Sequence, residues 1–368
     1  MSALKNLYSP AFYDKLSAVL LQSLPGFDKA KFISLINSDG FEDKELKARM
    51  RHTAVVLHHF MPKDFSKAVT ALQSIIENLR KASFGEDGLA CMFLPDYIEV
   101  YGLDNYEDAI KALEYVTQFT SCEFAVRPFL LKYEDKMLEQ MLTWSLHDNY
   151  KVRRFASEGS RPRLPWAMAI PSLKKDPSRL LPILENLKND PSDFVRRSVA
   201  NNINDIAKDH PDVVLSIAKK WKGFSKETDA IVKHGSRTLL KQGHTEILKI
   251  FGLDAAAIAF DNFEVLTPQV KMGDSVEFTF AIQNTATEPQ IVRLEYGLYY
   301  MKAKGHLAKK VFKISERIYQ PDEKAVIVRK QSFRAITTRV FHAGAHKVSI
   351  IINGEEKEPV LSFVLVQP

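Results

Sequence analysis

The spacing of the apolar residues changes at about residue 260, and this change limits what the chain can fold into. Upstream, Val214, Ile217, Ala218 and Trp221 follow the i, i+3, i+4, i+7 spacing of an amphipathic helix. Downstream, residues 276–282 alternate large apolar with smaller or polar side chains, which is the period of a strand with one buried face. The two patterns predict a multidomain chain, with an all-α body followed by an all-β module.

The helical part contains a weak internal repeat. The segment His147–Arg154 ends in Val-Arg-Arg, the same three residues end Asn189–Arg197 43 positions later, and Ile231–His234 is a degenerate third copy. An apolar helix, an Asp-containing turn and a second helix at this period are typical of HEAT-type repeats. We therefore predict a HEAT-like solenoid over residues 1–258.

Short runs with strand character follow over residues 259–368. Besides 276–282, these runs are Ile291–Tyr300, Val311–Ile314, Ala325–Arg329, Arg339–Phe341, Lys347–Ile352 and Leu361–Val366. Asn353-Gly354 is a typical two-residue hairpin turn. The number and length of the runs predict an immunoglobulin-like β-sandwich, although the cysteine pair of an antibody domain is absent from this region.

The composition excludes several classes of protein. No run of 18 apolar residues could span a bilayer, residues 1–10 do not resemble a secretion signal, and two cysteines cannot build a disulfide framework. We therefore expect a cytoplasmic protein without membrane contact. The net charge of +6 is suggestive of a polyanionic partner.

The positive charge of the β module is concentrated in a basic strip, defined here as residues 302–347. It holds 12 basic and 3 acidic residues. The basic members are Lys302, Lys304, Lys309, Lys310, Lys313, Arg317, Lys324, Arg329, Lys330, Arg334, Arg339 and Lys347. A solvated face and a contact with a polyanion both explain the strip.

Charged side chains are also concentrated at 151–166. Gly159 and Pro162 should end a helix there, which places Glu158 in its last turn, where a carboxylate opposes the helix dipole. An ion pair with Arg154 is the structural explanation, and a functional role is the other. Arg161 and Arg163, on a proline-stiffened loop, suit phosphate contacts because the guanidinium fork matches phosphate oxygens.

Two further acids are candidate site residues. Glu123 follows Thr120 by three residues, the spacing of a helix capping box, and Asp205 lies ten residues after Val195. Taken singly, each acid has a structural explanation. The sequence lacks a phosphate-binding glycine loop, a nucleophile elbow and a zinc motif, so no metal or other cofactor is expected.

Residues 158–167 (EGSRPRLPWA), with Lys151–Ser157 before them and Val195–Asp205 after them, resemble the AlkC branch of the AlkC/AlkD DNA glycosylases. The resemblance covers residues 1–252, and the appended module is similar to the immunoglobulin-like module of one AlkC subgroup. It implies a monofunctional, monomeric DNA glycosylase of base excision repair. Such an enzyme removes cationic N3-alkylated bases, such as 3-methyladenine and 3-methylcytosine, from double-stranded DNA without flipping them into a deep pocket.

Carried onto this sequence, the resemblance assigns roles to two groups of residues. The catalytic group is Glu123, Glu158, Asp205 and Trp166. The group expected to hold DNA phosphates is Lys151, Arg153, Arg154, Arg161, Arg163, Arg196 and Arg197.

The alternative is a non-catalytic helical-repeat scaffold that binds nucleic acid or protein. Carboxylates in basic surroundings favour catalysis, because a pure DNA clamp would gain from omitting them.

Overall fold

The computed structural model describes residues 4–84, 88–334 and 340–367 of the chain. Within these residues, sixteen α-helices precede eight β-strands, as the change of period predicts. The helices are α1 (Pro10–Ser23), α2 (Lys29–Ile36), α3 (Leu46–His58), α4 (Phe65–Lys81), α5 (Phe93–Gly102), α6 (Tyr106–Thr117), α7 (Val126–Lys132), α8 (Glu134–Trp144), α9 (Tyr150–Gly159), α10 (Pro171–Lys175), α11 (Leu181–Leu187), α12 (Asp193–Ile206), α13 (Pro211–Trp221), α14 (Lys226–Gly235), α15 (Arg237–Gln242) and α16 (Thr245–Ile250).

The chain divides into two compact units. The first consists of Met1–Val214 and Gly223–Gly235, and the second of Leu215–Lys222 and Ser236–Pro368. The second unit therefore contains α15 and α16 in addition to the strands. The predicted domain boundary between residues 258 and 259 stays a prediction.

Within the first unit, the sequence repeat corresponds to a stack of helices. α12 packs against α9 on one side and against α14 on the other. The equivalent valines of the three copies, Val152, Val195 and Val232, are all buried in this stack. The HEAT-like repeat architecture is thereby confirmed, and the shared valine is explained by the packing of one repeat on the next.

The first arginine of Val-Arg-Arg has a structural role in both complete copies. Arg153 Nη1 donates hydrogen bonds to the carbonyls of His147 (2.9 Å) and Asp148 (2.7 Å), in the turn before α9. Arg196 Nη1 does the same with the two residues that precede Ser192, at 2.7 and 2.8 Å, in the turn before α12. Each arginine thus folds back and satisfies carbonyls of the turn that starts its own helix.

The strands form two sheets in the second unit. They are β1 (Ile258–Val265), β2 (Gln269–Lys271), β3 (Ser275–Asn284), β4 (Gln290–Met301), β5 (Leu307–Tyr319), β6 (Lys324–Ser332), β7 (Gly344–Ile352) and β8 (Glu355–Val366). One sheet has the order β1-β3-β6 and the other β2-β8-β7-β4-β5. The predicted alternation in β3 is confirmed, since Val276, Phe278, Phe280 and Ile282 all lie in the core.

The turn at Asn353-Gly354 joins β7 to β8 with φ angles of 49° and 81°, as a type I′ hairpin turn requires. The strand predicted at Arg339–Phe341 is wrong for Val340 and Phe341, while Arg339 lies outside the described residues. Phe341 instead packs its ring 5.1 Å from that of Phe333. Its apolar character therefore reflects a core contact made from a loop.

Candidate active site

Glu158 lies at the end of α9, as predicted. Asn149 begins the helix by accepting a hydrogen bond from the backbone N–H of Lys151 (2.9 Å), and Gly159 is the last helical residue. A Cβ at Gly159 would lie 2.9 Å from Cγ1 of Val126 in α7, so the glycine allows these two helices to approach closely. The side chain of Glu158 is only 8% exposed in this position.

Two arginines contact the carboxylate of Glu158. Arg161 Nη1 donates to Oε1 at 2.6 Å, and Arg154 Nη2 lies 3.7 Å from the same oxygen. The expected i, i+4 pair with Arg154 is therefore present, but the closer partner is Arg161, which comes from the loop after the helix. The carboxylate that opposes the helix dipole is stabilised by these two cations.

Arg161 joins Glu158 to an acid on a different helix. Its Nε donates to Oδ2 of Asp205 in α12 at 2.8 Å, across 44 residues of sequence. Burial would lower the pKa of Arg161, but the two carboxylates together raise it above its ordinary value. Asp205 is almost completely buried and also accepts from Lys208 Nζ at 2.9 Å. The guanidinium is thus a charged bridge between α9 and α12.

Glu123 lies in the turn between α6 and α7 and pairs with Arg154. Its Oε2 also accepts from the Ser121 hydroxyl at 2.7 Å. The predicted capping box is wrong, because α7 begins only at Val126 and the Thr120 hydroxyl faces the carbonyl of Gly88 at 3.4 Å. The acid is therefore held by a tertiary ion pair rather than by the start of its own helix.

These contacts link all three predicted acids. We call the set the carboxylate network; its members are Glu123, Glu158, Asp205, Arg154, Arg161 and Lys208. Three carboxylates and three cations alternate along it, so its formal charge is balanced. Of its three acids Glu123 is the most exposed, with a side chain exposed to 15%, against 8% for Glu158 and 2% for Asp205.

Trp166, the fourth predicted site residue, lies in the loop between α9 and α10 with a side chain open to solvent, the whole residue being 60% exposed. Arg127 of α7 holds this loop. It donates to the carbonyls of Gly159 (2.8 Å), Arg161 (2.6 Å) and Met168 (2.8 and 3.0 Å). Burial, and after it the charge of Arg161, lowers the pKa of Arg127 to about 10. This role of Arg127 was not predicted from the sequence, because its only neighbouring signal, Pro128, indicates a helix break.

Most of the predicted phosphate contacts have partners within the protein. Arg153 donates to both carboxylate oxygens of the buried Asp190. Arg163 does the same with Asp209. Lys151 is buried, and its Nζ lies 3.1 Å from the carbonyl oxygen of Gln118. Arg163 lowers the pKa of Asp209.

Arg197, the second arginine of the second Val-Arg-Arg copy, is more exposed than the other predicted phosphate contacts. The side chain of Arg197 is 64% exposed, more than that of any other member of the predicted set, and pairs with Asp193 at 3.0 Å. Of the predicted phosphate contacts, Arg197 is therefore the one most accessible to a ligand.

In the β module, several members of the basic strip are paired. The ion pairs are Lys309–Glu356, Lys313–Glu316, Arg317–Glu323 and Lys330–Glu277, at 2.7, 2.7, 2.8 and 3.1 Å. Two of these acids lie outside residues 302–347, so the local positive charge is smaller than the count within the strip. Lys302, Lys304 and Lys310 are exposed.

Neither a metal centre nor a membrane span is found in the described part of the chain. Those residues contain no group of three His, Cys, Asp or Glu side chains placed to hold a metal ion. Over the same ranges, no helix is long and apolar enough to cross a membrane.

The fold and the site define the class of protein: a two-part chain in which a helical-repeat body with clustered carboxylates precedes an immunoglobulin-like β domain. Comparison with family models identifies it further. The model described as DNA alkylation repair enzyme matches residues 56–245, and the model for the C-terminal Ig-like domain of the uncharacterised protein YhaZ matches residues 259–367. The chain belongs to the family of DNA alkylation repair enzymes.

Two relatives extend over nearly the whole chain. The uncharacterized protein YhaZ of Bacillus subtilis (strain 168) is 43% identical over 359 residues, which are 97% of this chain and 98% of that protein. The Pseudomonas fluorescens alkylpurine DNA glycosylase AlkC, solved bound to DNA containing an abasic site analog, is 35% identical with a TM-score of 0.83, and the match covers 99% of both chains. The resemblance to the AlkC branch is confirmed.

Proposed function

We propose that the protein is a monofunctional DNA glycosylase that hydrolyses the N-glycosidic bond of cationic N3-alkylated bases in double-stranded DNA. The observation that carries this proposal is the carboxylate network, which assembles Glu123, Glu158 and Asp205 from three separate segments of the chain. The AlkC relative binds DNA containing an abasic site analog, which supports the same class of ligand for this chain. The lesions proposed are 3-methyladenine and 3-methylcytosine.

The chemistry of such a lesion explains why carboxylates suffice. Alkylation at N3 makes the base cationic, which weakens the glycosidic bond and supplies a good leaving group without a general acid. The enzyme must stabilise the positive charge that develops on the sugar and position a water, and carboxylates directed at that charge do both. No metal or nucleotide is needed for these steps.

Differences in exposure within the network suggest different roles for its acids. Glu123 and Glu158, the more accessible two, would act on the lesion sugar and its attacking water. Asp205, which is almost fully buried, would orient Arg161. Trp166 presents an indole that can lie against a base or a sugar, and its π-face attracts a cationic base. The base would be excised without being flipped into a deep pocket, as the AlkC resemblance implies.

Binding of the DNA backbone would fall to exposed basic side chains. Arg197 is the best placed of the predicted set because its side chain is largely free of protein cover. The β module would add contacts through the exposed lysines of the basic strip. We expect the protein to act as a monomer in the cytoplasm.

One observation favours the alternative of a non-catalytic nucleic-acid-binding scaffold. Each acid of the network has a cationic partner, as acids with a purely structural role also have. Release of free base separates the two functions. Purified protein is incubated in EDTA with methylated double-stranded DNA, and free bases are quantified by chromatography. The proposal requires release of 3-methyladenine under these conditions; no release, or release that depends on a divalent ion, would contradict it.

A further inference from the structure

A lysine distant in sequence contacts the segments that carry two of the site residues. Lys47, near the start of α3, donates from Nζ to the carbonyl oxygen of Trp166 at 2.6 Å, across 119 residues of sequence. The same ammonium lies 5.1 Å from the ring centroid of Phe124, the residue after Glu123. One cation therefore connects the Trp166 loop with the turn that carries Glu123.

The backbone of Trp166 lies in a turn that the N–H of Ala167 closes on the carbonyl of Leu164 at 3.2 Å, and the Lys47 contact is a second support for it. Its φ angle is +64°, in the left-handed region, which is strained for a residue with a Cβ. A residue keeps this conformation only where its surroundings hold it, and such residues are concentrated at functional sites. Arg127 fixes the carbonyl of Met168, two residues further on, whereas Lys47 binds the carbonyl of the strained residue itself.

We propose that Lys47 is a positioning residue of the site: its ammonium stabilises the left-handed backbone of Trp166 and thereby fixes the indole relative to Glu123. The catalytic consequence rests on the proposed glycosylase function. Displacement of a positioned group by about 1 Å can cost a reaction roughly 10²-fold in rate. Lys47 acts through Trp166 and is not itself assigned a contact with the reacting atoms.

The tryptophans of the chain provide a direct measure of this positioning. Of the three, Trp144 and Trp221 are buried, whereas Trp166 is exposed. Quenching of the intrinsic fluorescence by acrylamide therefore reports mainly on the indole of Trp166. This measurement needs neither DNA nor catalysis.

The test compares Lys47→Met, which keeps the length of the side chain but removes the donor, with Lys47→Arg, which keeps a donor and the charge. Lys136→Met is the matched control, because Lys136 is also an exposed lysine over an aromatic ring, 5.4 Å from that of Tyr106. For Lys47→Met we expect an altered quenching constant and a single-turnover base release about tenfold slower. Lys47→Arg should restore most of both, and the control should resemble the parent protein.

Two results would overturn the proposal. One is unchanged quenching and unchanged base release in Lys47→Met. The other is unchanged quenching with a salt slope of DNA binding lowered by about one, which would make Lys47 a phosphate contact instead. If the parent protein releases no base, the proposed function fails, while the quenching comparison still decides whether Lys47 holds Trp166.

Discussion

The guanidinium of Arg161 lies 2.6 Å from the carboxylate of Glu158, and this contact ties the loop after α9 to the last turn of that helix. Both side chains are buried. Attraction between buried ions is largely offset by the loss of hydration, but removal of one partner leaves the other charge uncompensated. The main effect of the pair is therefore to fix the position of the Glu158 carboxylate, and its contribution to the stability of the fold is small.

Replacement of Glu158 by glutamine should separate chemistry from binding. Glu158→Gln keeps the shape of the side chain and removes the charge, so single-turnover base release should fall by at least roughly 10²-fold. Affinity for abasic-site DNA should stay equal or rise, since a negative charge near phosphates is lost. Glu139→Gln, at an exposed acid of α8, is the control. Near-parental activity of Glu158→Gln would remove this acid from the mechanism.

Two arginines of the predicted phosphate-binding set should behave differently. A lysine at position 161 cannot bridge two carboxylates as the guanidinium does, so Arg161→Lys should slow base release about tenfold and leave the salt slope of binding unchanged. Arg197→Ala should lower the salt slope by about one, with little effect on release at saturating enzyme. Binding titrations at several salt concentrations check both. A lower slope in Arg161→Lys would restore the phosphate role for Arg161.

The Arg163–Asp209 pair should contribute to the stability of the fold at neutral pH and lose this contribution in acid. The hydrogen bonds from Arg163 lower the pKa of Asp209. Above the ordinary pKa of an aspartate, about 4, the ionised carboxylate therefore stabilises the fold. This contribution disappears as the pH falls through the lowered pKa of Asp209. Asp209→Asn should therefore reduce the free energy of unfolding at pH 7 by a few tenths to about 1 kcal/mol. Urea unfolding at pH 7, 5, 4 and 3 should show the difference shrinking below about pH 4. A difference that stays constant down to pH 3 would disprove this origin.

The exposed lysines of the basic strip provide a test of DNA contact by the β module. Each phosphate contact contributes about 0.9 to the slope of log affinity against log salt. The triple variant Lys302→Gln, Lys304→Gln and Lys310→Gln should lower that slope in the full-length protein. Lys313→Gln, whose lysine is paired with Glu316, should change it less. Equal slopes for the triple variant and the parent protein would show that these lysines do not bind DNA.

The sequence by itself determined that an all-α part comes first in the chain and an all-β part follows it. The 3.6-residue period upstream and the two-residue period of β3 are local patterns, each produced by one buried face of one element. The repeated Val-Arg-Arg likewise indicated the stack of α9, α12 and α14, because its valine must be buried at every copy. Such features need no knowledge of distant residues, which is why they could be predicted.

Only the tertiary structure decided which charges belong together. Arg161 meets Asp205 across 44 residues, and Arg154 meets Glu123, because the packing of distant elements brings these side chains together. The left-handed φ of Trp166 and the loop contacts of Arg127 also leave no mark in periodicity or composition. The choice of partner for a charged side chain is set by the packing of distant elements, whereas the sequence pattern records only which face of each element is buried.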